Sequence, residues 1–160
     1  MRKMNKESEK TLSQLIRTQQ IASLGTRRED ELIVSMVLYA ASLDFSEYYI
    51  HISELAKHTQ NIMRFPQVGF LICEKERPSI DPQTLTRVSI VGEGMKIPKG
   101  EGIYNEAKDL YLEKNPATSI NFQLGGFSLH RIRVKKVRYV AGFGKTFNLT
   151  KERMIQISRL

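Results

Sequence analysis

The sequence predicts a single mainly β domain, an antiparallel barrel carrying two or three peripheral helices, and three observations lead there. The chain of 160 residues and 18.4 kDa is long enough for one core and too short for two ordinary domains. Its 41% apolar and 26% charged residues match a globular chain and exclude a fully disordered or fibrous one. Six or seven strand-like runs then arrive in adjacent groups with few helices between them, which favours an antiparallel barrel or an α+β architecture over a doubly wound parallel sheet.

Residues 3 to 17 are polar with Leu12, Leu15 and Ile16 at helical spacing, giving a short, weakly docked N-terminal helix. Ile21 to Leu24 and Leu32 to Ala41 are strand-like runs separated by a charged turn from Thr26 to Glu31, and Phe45 to Ser53 follows as a third strand of one meander. In that strand a period of two sends Tyr49, His51 and Ser53 to one face and Tyr48, Ile50 and Ile52 to the other. Ser53 reads as the N-cap of a helix bearing Leu55, Thr59 and Ile62, which must end before Pro66. Strands at Gln67 to Glu74 and Thr86 to Glu93 flank a loop with two prolines. Ile103, Ala107, Leu110 and Tyr111 mark a further helix that stops at Asn115-Pro116, and strands return at Phe127 to Val134, Val137 to Phe143 and Thr146 to Leu149.

The net charge of +8 is confined to the C-terminal part, where residues 131 to 160 hold nine Lys and Arg against one acid. The dense run Arg131, Arg133, Lys135, Lys136 and Arg138 could attract nucleic acid, anionic lipid or a phosphorylated ligand, but with no nucleic-acid motif beside it a solvated strand edge is the favoured reading. A lone cysteine, Cys73, excludes an internal disulfide and a four-cysteine zinc site. The longest weakly polar run, Leu32 to Leu43, is shorter than the ~20 residues of a membrane span. The first residues lack the apolar segment of a secretory signal, so a cytoplasmic location is expected.

Phosphate loops of the Walker type, G-x-G-x-x-G, H-E-x-x-H and G-x-S-x-G are all missing, and the three histidines have no metal-site spacing. No catalytic residue and no metal ligand is assigned. The segment from His51 to Ile62 stands out, since a strand there delivers a hydroxyl, Lys57 and Thr59 to the first turns of a helix. Free backbone N–H groups and the positive end of the helix dipole would receive a phosphate. The plainer reading of the same residues is a capped helix with a solvated lysine.

This segment and its surroundings resemble the pyridoxamine 5'-phosphate oxidase-like superfamily of flavin-binding split barrels, in particular its haem-utilisation branch. Ile50 to Glu74 (IHISELAKHTQNIMRFPQVGFLICE) is similar to that family's strand, phosphate-binding helix, Pro-terminated turn and next strand. RVSIVGEG at 87–94, YLEKNP at 111–116, FSLHRI at 127–132 and YVAGFGK at 139–145 resemble four further motifs, in the family's order. The resemblance implies a six-stranded antiparallel split barrel of Greek-key type that forms a homodimer with FMN in two interface clefts. By position, Ser35 would face the flavin, Ser53, Lys57 and Thr59 would hold its phosphate, Asn61 would support the helix turn, and Arg87 would lie near the cleft. An FMN-dependent oxidoreductase of unspecified substrate is the function so implied. Gln60 stands where many relatives carry Arg, and the proline frequent at position 38 is Leu here. These departures point to the alternative, a cofactor-free module on the same barrel that binds a protein partner. Haem-degrading relatives use a histidine in a C-terminal extension, and no histidine follows His130, so haem breakdown by that route is not expected.

Overall fold

The structure is a computed structural model that describes residues 3–160. Helix α1 (Lys6–Thr18) is capped by Asn5, whose side chain accepts a hydrogen bond from the Ser8 N–H at 2.9 Å. Its Leu12, Leu15 and Ile16 are buried in the barrel core. The Tyr39 hydroxyl donates to the Ile16 carbonyl at 2.7 Å, so the helix docks more firmly than its polar composition predicts.

Strands β1 (Ile21–Arg28) and β2 (Glu31–Leu38) form a hairpin in full register from Ile21↔Leu38 to Arg28↔Glu31. The charged turn expected from Thr26 to Glu31 therefore shrinks to Glu29-Asp30, with Glu29 in the left-handed region at φ 57°. Exposed charges at Arg27, Arg28 and Glu31 are compatible with an open strand, so polarity did not mark its end.

Strand β3 is the pair Ala40–Ala41, and β4 runs Glu47–Ser53. The expected meander does not continue, because β4 pairs with β3 on one side and with β7 (Phe127–Val140) on the other, not with β2. Its two apolar faces explain this. Tyr48, Ile50 and Ile52 enter the barrel core while Tyr49 packs beneath α3 (Gly102–Lys114) with Ile97, Ala107 and Leu129, and an interior strand can cover both faces. Helix α2 (Lys57–Arg64) links β4 to β5 (Gln67–Cys73), which pairs with β6 (Arg87–Lys96).

The antiparallel sheet has the order β2-β1-β5-β6-β7-β4-β3, with β8 (Thr146–Leu149) on β7. Eight strands replace the six expected, the additions being short. Helices α4 (Ser119–Gln123) and α5 (Lys151–Ile157) bring the helices to five among the described residues. Both are too short for a periodic signal to accumulate.

The two C-terminal strands expected at Phe127 and Val137 are one strand, β7, with a register shift opposite Val91 and Gly92 that leaves Lys135 out of the pairing. β7 is interior, so the basic run is not a sheet edge. Arg131 and Arg133 converge on one Glu47 oxygen at 3.3 and 3.8 Å, and Lys135 reaches Glu93. No helix among the described residues is long and apolar enough to cross a membrane.

Candidate functional site

The β4–α2 corner is built by hydrogen bonds that exhaust some of the expected ligands and free others. Ala56, not Ser53, occupies the N-cap position of α2, and no side chain caps the helix. Ser53 sits three residues earlier. Its Oγ accepts from the Leu55 N–H at 3.3 Å and its carbonyl accepts from the Thr59 hydroxyl at 2.6 Å. Thr59 and Asn61 are buried, and the Asn61 side chain donates to Thr26 Oγ1 at 3.2 Å, tying α2 to β1. The N–H groups of Lys57 and His58 have no protein acceptor among the described residues. The Lys57 side chain beside them is exposed.

Ser35 pairs with the fully buried Leu24 and therefore lies on the barrel-facing side of β2. Its Oγ is 3.2 Å from His58 Nδ1, which joins β2 to the first turn of α2. Burial lowers the His58 pKa, so its ring is neutral at neutral pH. The structure thus brings together Ser35, Ser53, Lys57 and Thr59 around one uncapped helix end. It adds His58, whose i+1 position beside Lys57 carried no separate signal in the sequence.

Arg87 is not part of this cluster within one chain. It pairs with Cys73 at the far end of β5 and donates to the Leu85 carbonyl at 2.8 Å. With Arg138, Ser89 and the Gly142–Gly144 bend it lines a separate open cavity of about 510 Å³. Gly142 and Gly144, at φ 139° and 74°, allow that bend.

The other two histidines are half-buried, at His51, and wholly buried, at His130. His51 stacks on Phe122 with centroids 3.6 Å apart, and burial, reinforced by Lys108 and Lys99, lowers its pKa to about 4. His130 is wholly buried with Nε2 2.9 Å from Ser128 Oγ, and burial, helped by Lys96, holds it at about 4. Burial raises the Cys73 thiol, which disfavours the nucleophilic thiolate. No group of three His, Cys, Asp or Glu suited to a metal occurs among the described residues.

The outer face of β2 carries a row of exposed apolar side chains beside β1 and β5. Leu32, Val34 and Met36 are 79%, 76% and 68% exposed, and Gly25 and Gly69 pair opposite each other with no side chain to break the surface.

An antiparallel curled sheet with helices packed against it defines a protein of the split-barrel class. A family model described as CREG, beta-barrel, matches residues 5–155, and the chain belongs to that family. It is 33% identical over 114 residues to the non-canonical heme oxygenase HOZ, chloroplastic, of Arabidopsis thaliana. That match covers 71% of this chain and spans about a third of the length of HOZ (33%). A heme binding protein from Mycobacterium smegmatis shares the fold with a TM-score of 0.83 at 22% identity, over 96% of this chain and 62% of that one. A protein of the pyridoxine phosphate oxidase family from Clostridium acetobutylicum, related to general stress protein 26, superposes with a TM-score of 0.68 at 9% identity, over 94% and 99% of the two chains. The family resemblance and the split-barrel fold expected from the sequence are both borne out.

Proposed function

We propose that the chain is an FMN-binding split barrel that acts as a flavin-dependent oxidoreductase, with the cofactor phosphate on the N-terminus of α2. The uncapped helix end carries this reading. Two unbonded N–H groups, the Lys57 ammonium beside them and the Ser35 hydroxyl across the gap form a donor set suited to a phosphate dianion. FMN would supply the hydride or electron transfer, and the chain would bind it, orient it and control access. Thr59 and Asn61 would act by fixing the corner, since their side chains are engaged with Ser53 and Thr26. A second copy laid on the Leu32, Val34 and Met36 surface would make the homodimer, and Arg87 would serve the neighbouring protomer's cleft.

Haem binding is the second reading, favoured by the haem-named relatives and by one residue. His58 is neutral, and its Nε2 makes no hydrogen bond to the protein among the described residues. A neutral imidazole nitrogen of that kind is a competent axial ligand.

Parallel titrations of the purified protein with FMN and with haemin separate the readings. The flavin reading expects quenching of FMN fluorescence at micromolar protein, with affinity weakened by about 1.5–3 kcal/mol in Lys57→Ala, the scale of a lost charge-assisted hydrogen bond. A histidine-ligated haem spectrum that disappears in His58→Ala, with no response to FMN, would replace it with the haem reading. No response to either cofactor would leave the barrel as a protein-interaction module.

A further inference from the structure

Lys114, at the C-terminal end of α3, is a largely buried lysine with no carboxylate within 4.0 Å among the described residues. Such a group needs a reason, because an ammonium rarely enters an interior unpaired. Part of the reason is local. Its Nζ donates to the Ile16 carbonyl in the last turn of α1 at 3.3 Å and lies 3.6 Å from the centre of the Tyr39 ring. Those contacts use one of its three N–H donors.

A cavity of about 360 Å³ opens beside it, and Arg17 lines the same cavity. Arg17 is held in place by Ser13 Oγ, by the Ser158 carbonyl at 2.6 Å and by the face of Phe45 at 4.6 Å. Three of its five N–H donors remain without a protein acceptor among the described residues. Two cations fixed by other contacts thus border one cavity, and Glu113 is the acid that lines it. The walls between them are apolar, formed by Phe45, Leu43 and Leu110 with the small Ala40 and Ala41.

We infer that this open cavity, bordered by α1, β3 and the end of α3, binds a small organic monocarboxylate with a ring or a short branched chain as its apolar body. The charge count selects a monoanion, since two cations against one acid leave a single positive charge to neutralise. A carboxylate would accept from the unengaged N–H groups of the guanidinium and of the ammonium. The volume lies at the small end of the range for ligand pockets, enough for one ring and not for a nucleotide. The site is separate from the α2 corner, so it stands or falls independently of the flavin reading.

Protonation gives it a signature. Burial lowers the Lys114 pKa to about 7, and the charged or titratable groups facing it are Arg17 from α1, Tyr39 after β2 and Glu113 on its own helix. A bound carboxylate favours the ammonium, so binding near pH 7 takes up about half a proton from solution.

Phenylacetate and its neutral isostere phenylacetamide are the probes, titrated into the full chain with amide shifts followed by NMR and proton uptake by calorimetry in two buffers. Saturable shifts confined to residues 13–17, 40–45 and 110–114, at least ten-fold tighter binding of phenylacetate than of the amide, and proton uptake are expected. Lys114→Met should abolish the uptake and the preference for the acid. Because that variant also loses the contact to α1, Leu43→Trp serves as the second test. Leu43 is exposed at the cavity wall, so filling the cavity there should block phenylacetate while leaving thermal stability unchanged. Equal affinity for acid and amide, shifts centred on α2, or no saturable shift at millimolar phenylacetate would each overturn the inference.

Discussion

His130 and His51 enter the folded protein as neutral rings, because burial in each case costs the imidazolium more than any nearby carboxylate returns. In the unfolded chain both titrate near 6.5, so between that value and about 4 the unfolded state binds protons that the folded state refuses. The stabilisation from keeping them neutral is complete above about pH 6.5 and is lost as pH falls toward 4, with an upper limit on the order of 3 kcal/mol for the wholly buried His130 and less for the half-buried His51, whose charge water screens. Urea unfolding at pH 7 and pH 4.5 should show a clearly lower midpoint at the acid pH, and His130→Gln should remove at least half of the difference. The sequence showed only that His51 and His130 have no metal-site spacing. It could not show that His58 differs from them, because the contact with Ser35 joins residues 23 positions apart.

Elements were legible where periodicity ran long and obscure where one pairing decided the outcome. Helix α3 and strands β5 and β6 follow their apolar spacing closely, and the β4–α2–β5 unit was placed by its motif. The N-cap of α2 was misplaced because Ser53 is the right residue type three positions too early, its hydroxyl serving the Leu55 N–H instead. The position of β4 was missed because strand order depends on distant partners that a local pattern does not encode.

Backbone crowding gives the sharpest test at this scale. Gly92 sits at the β6–β7 register shift, where an added Cβ would collide with the Arg133 carbonyl oxygen and lie 2.8 Å from Ile132. Gly69, on the open face of β5, has nothing within 4 Å of such a Cβ. Gly92→Ala should therefore destabilise the fold by roughly 1–3 kcal/mol, the cost of overpacking, and Gly69→Ala by much less. Thermal denaturation of the two variants side by side decides it, and equal losses would mean that the β7 bulge adjusts freely.

For the whole molecule, Leu32, Val34 and Met36 form an exposed apolar row at alternate positions on the outer face of β2. A dimer that covers it would also bring a second chain to the edge of β2 where Ser35 lies. Sedimentation velocity at micromolar concentration should give a dimer for the native sequence and a folded monomer for Val34→Lys, and a native monomer would remove the basis for a cleft shared between chains. The split-barrel fold and the family were readable in the sequence because several motifs fall in order along it. FMN was expected only through that resemblance, since the residues alone do not tell which backbone N–H groups remain unbonded after folding.

The central claim, that the α2 corner holds a cofactor phosphate, is tested most directly by comparing FMN with riboflavin, which carries the same ring system without the phosphate. Equilibrium binding of both to the native protein and to Lys57→Ala should give a native affinity for FMN at least ten-fold tighter than for riboflavin, and Lys57→Ala should erase most of that difference. Equal affinities for the two flavins, or an FMN preference that survives in Lys57→Ala, would contradict it.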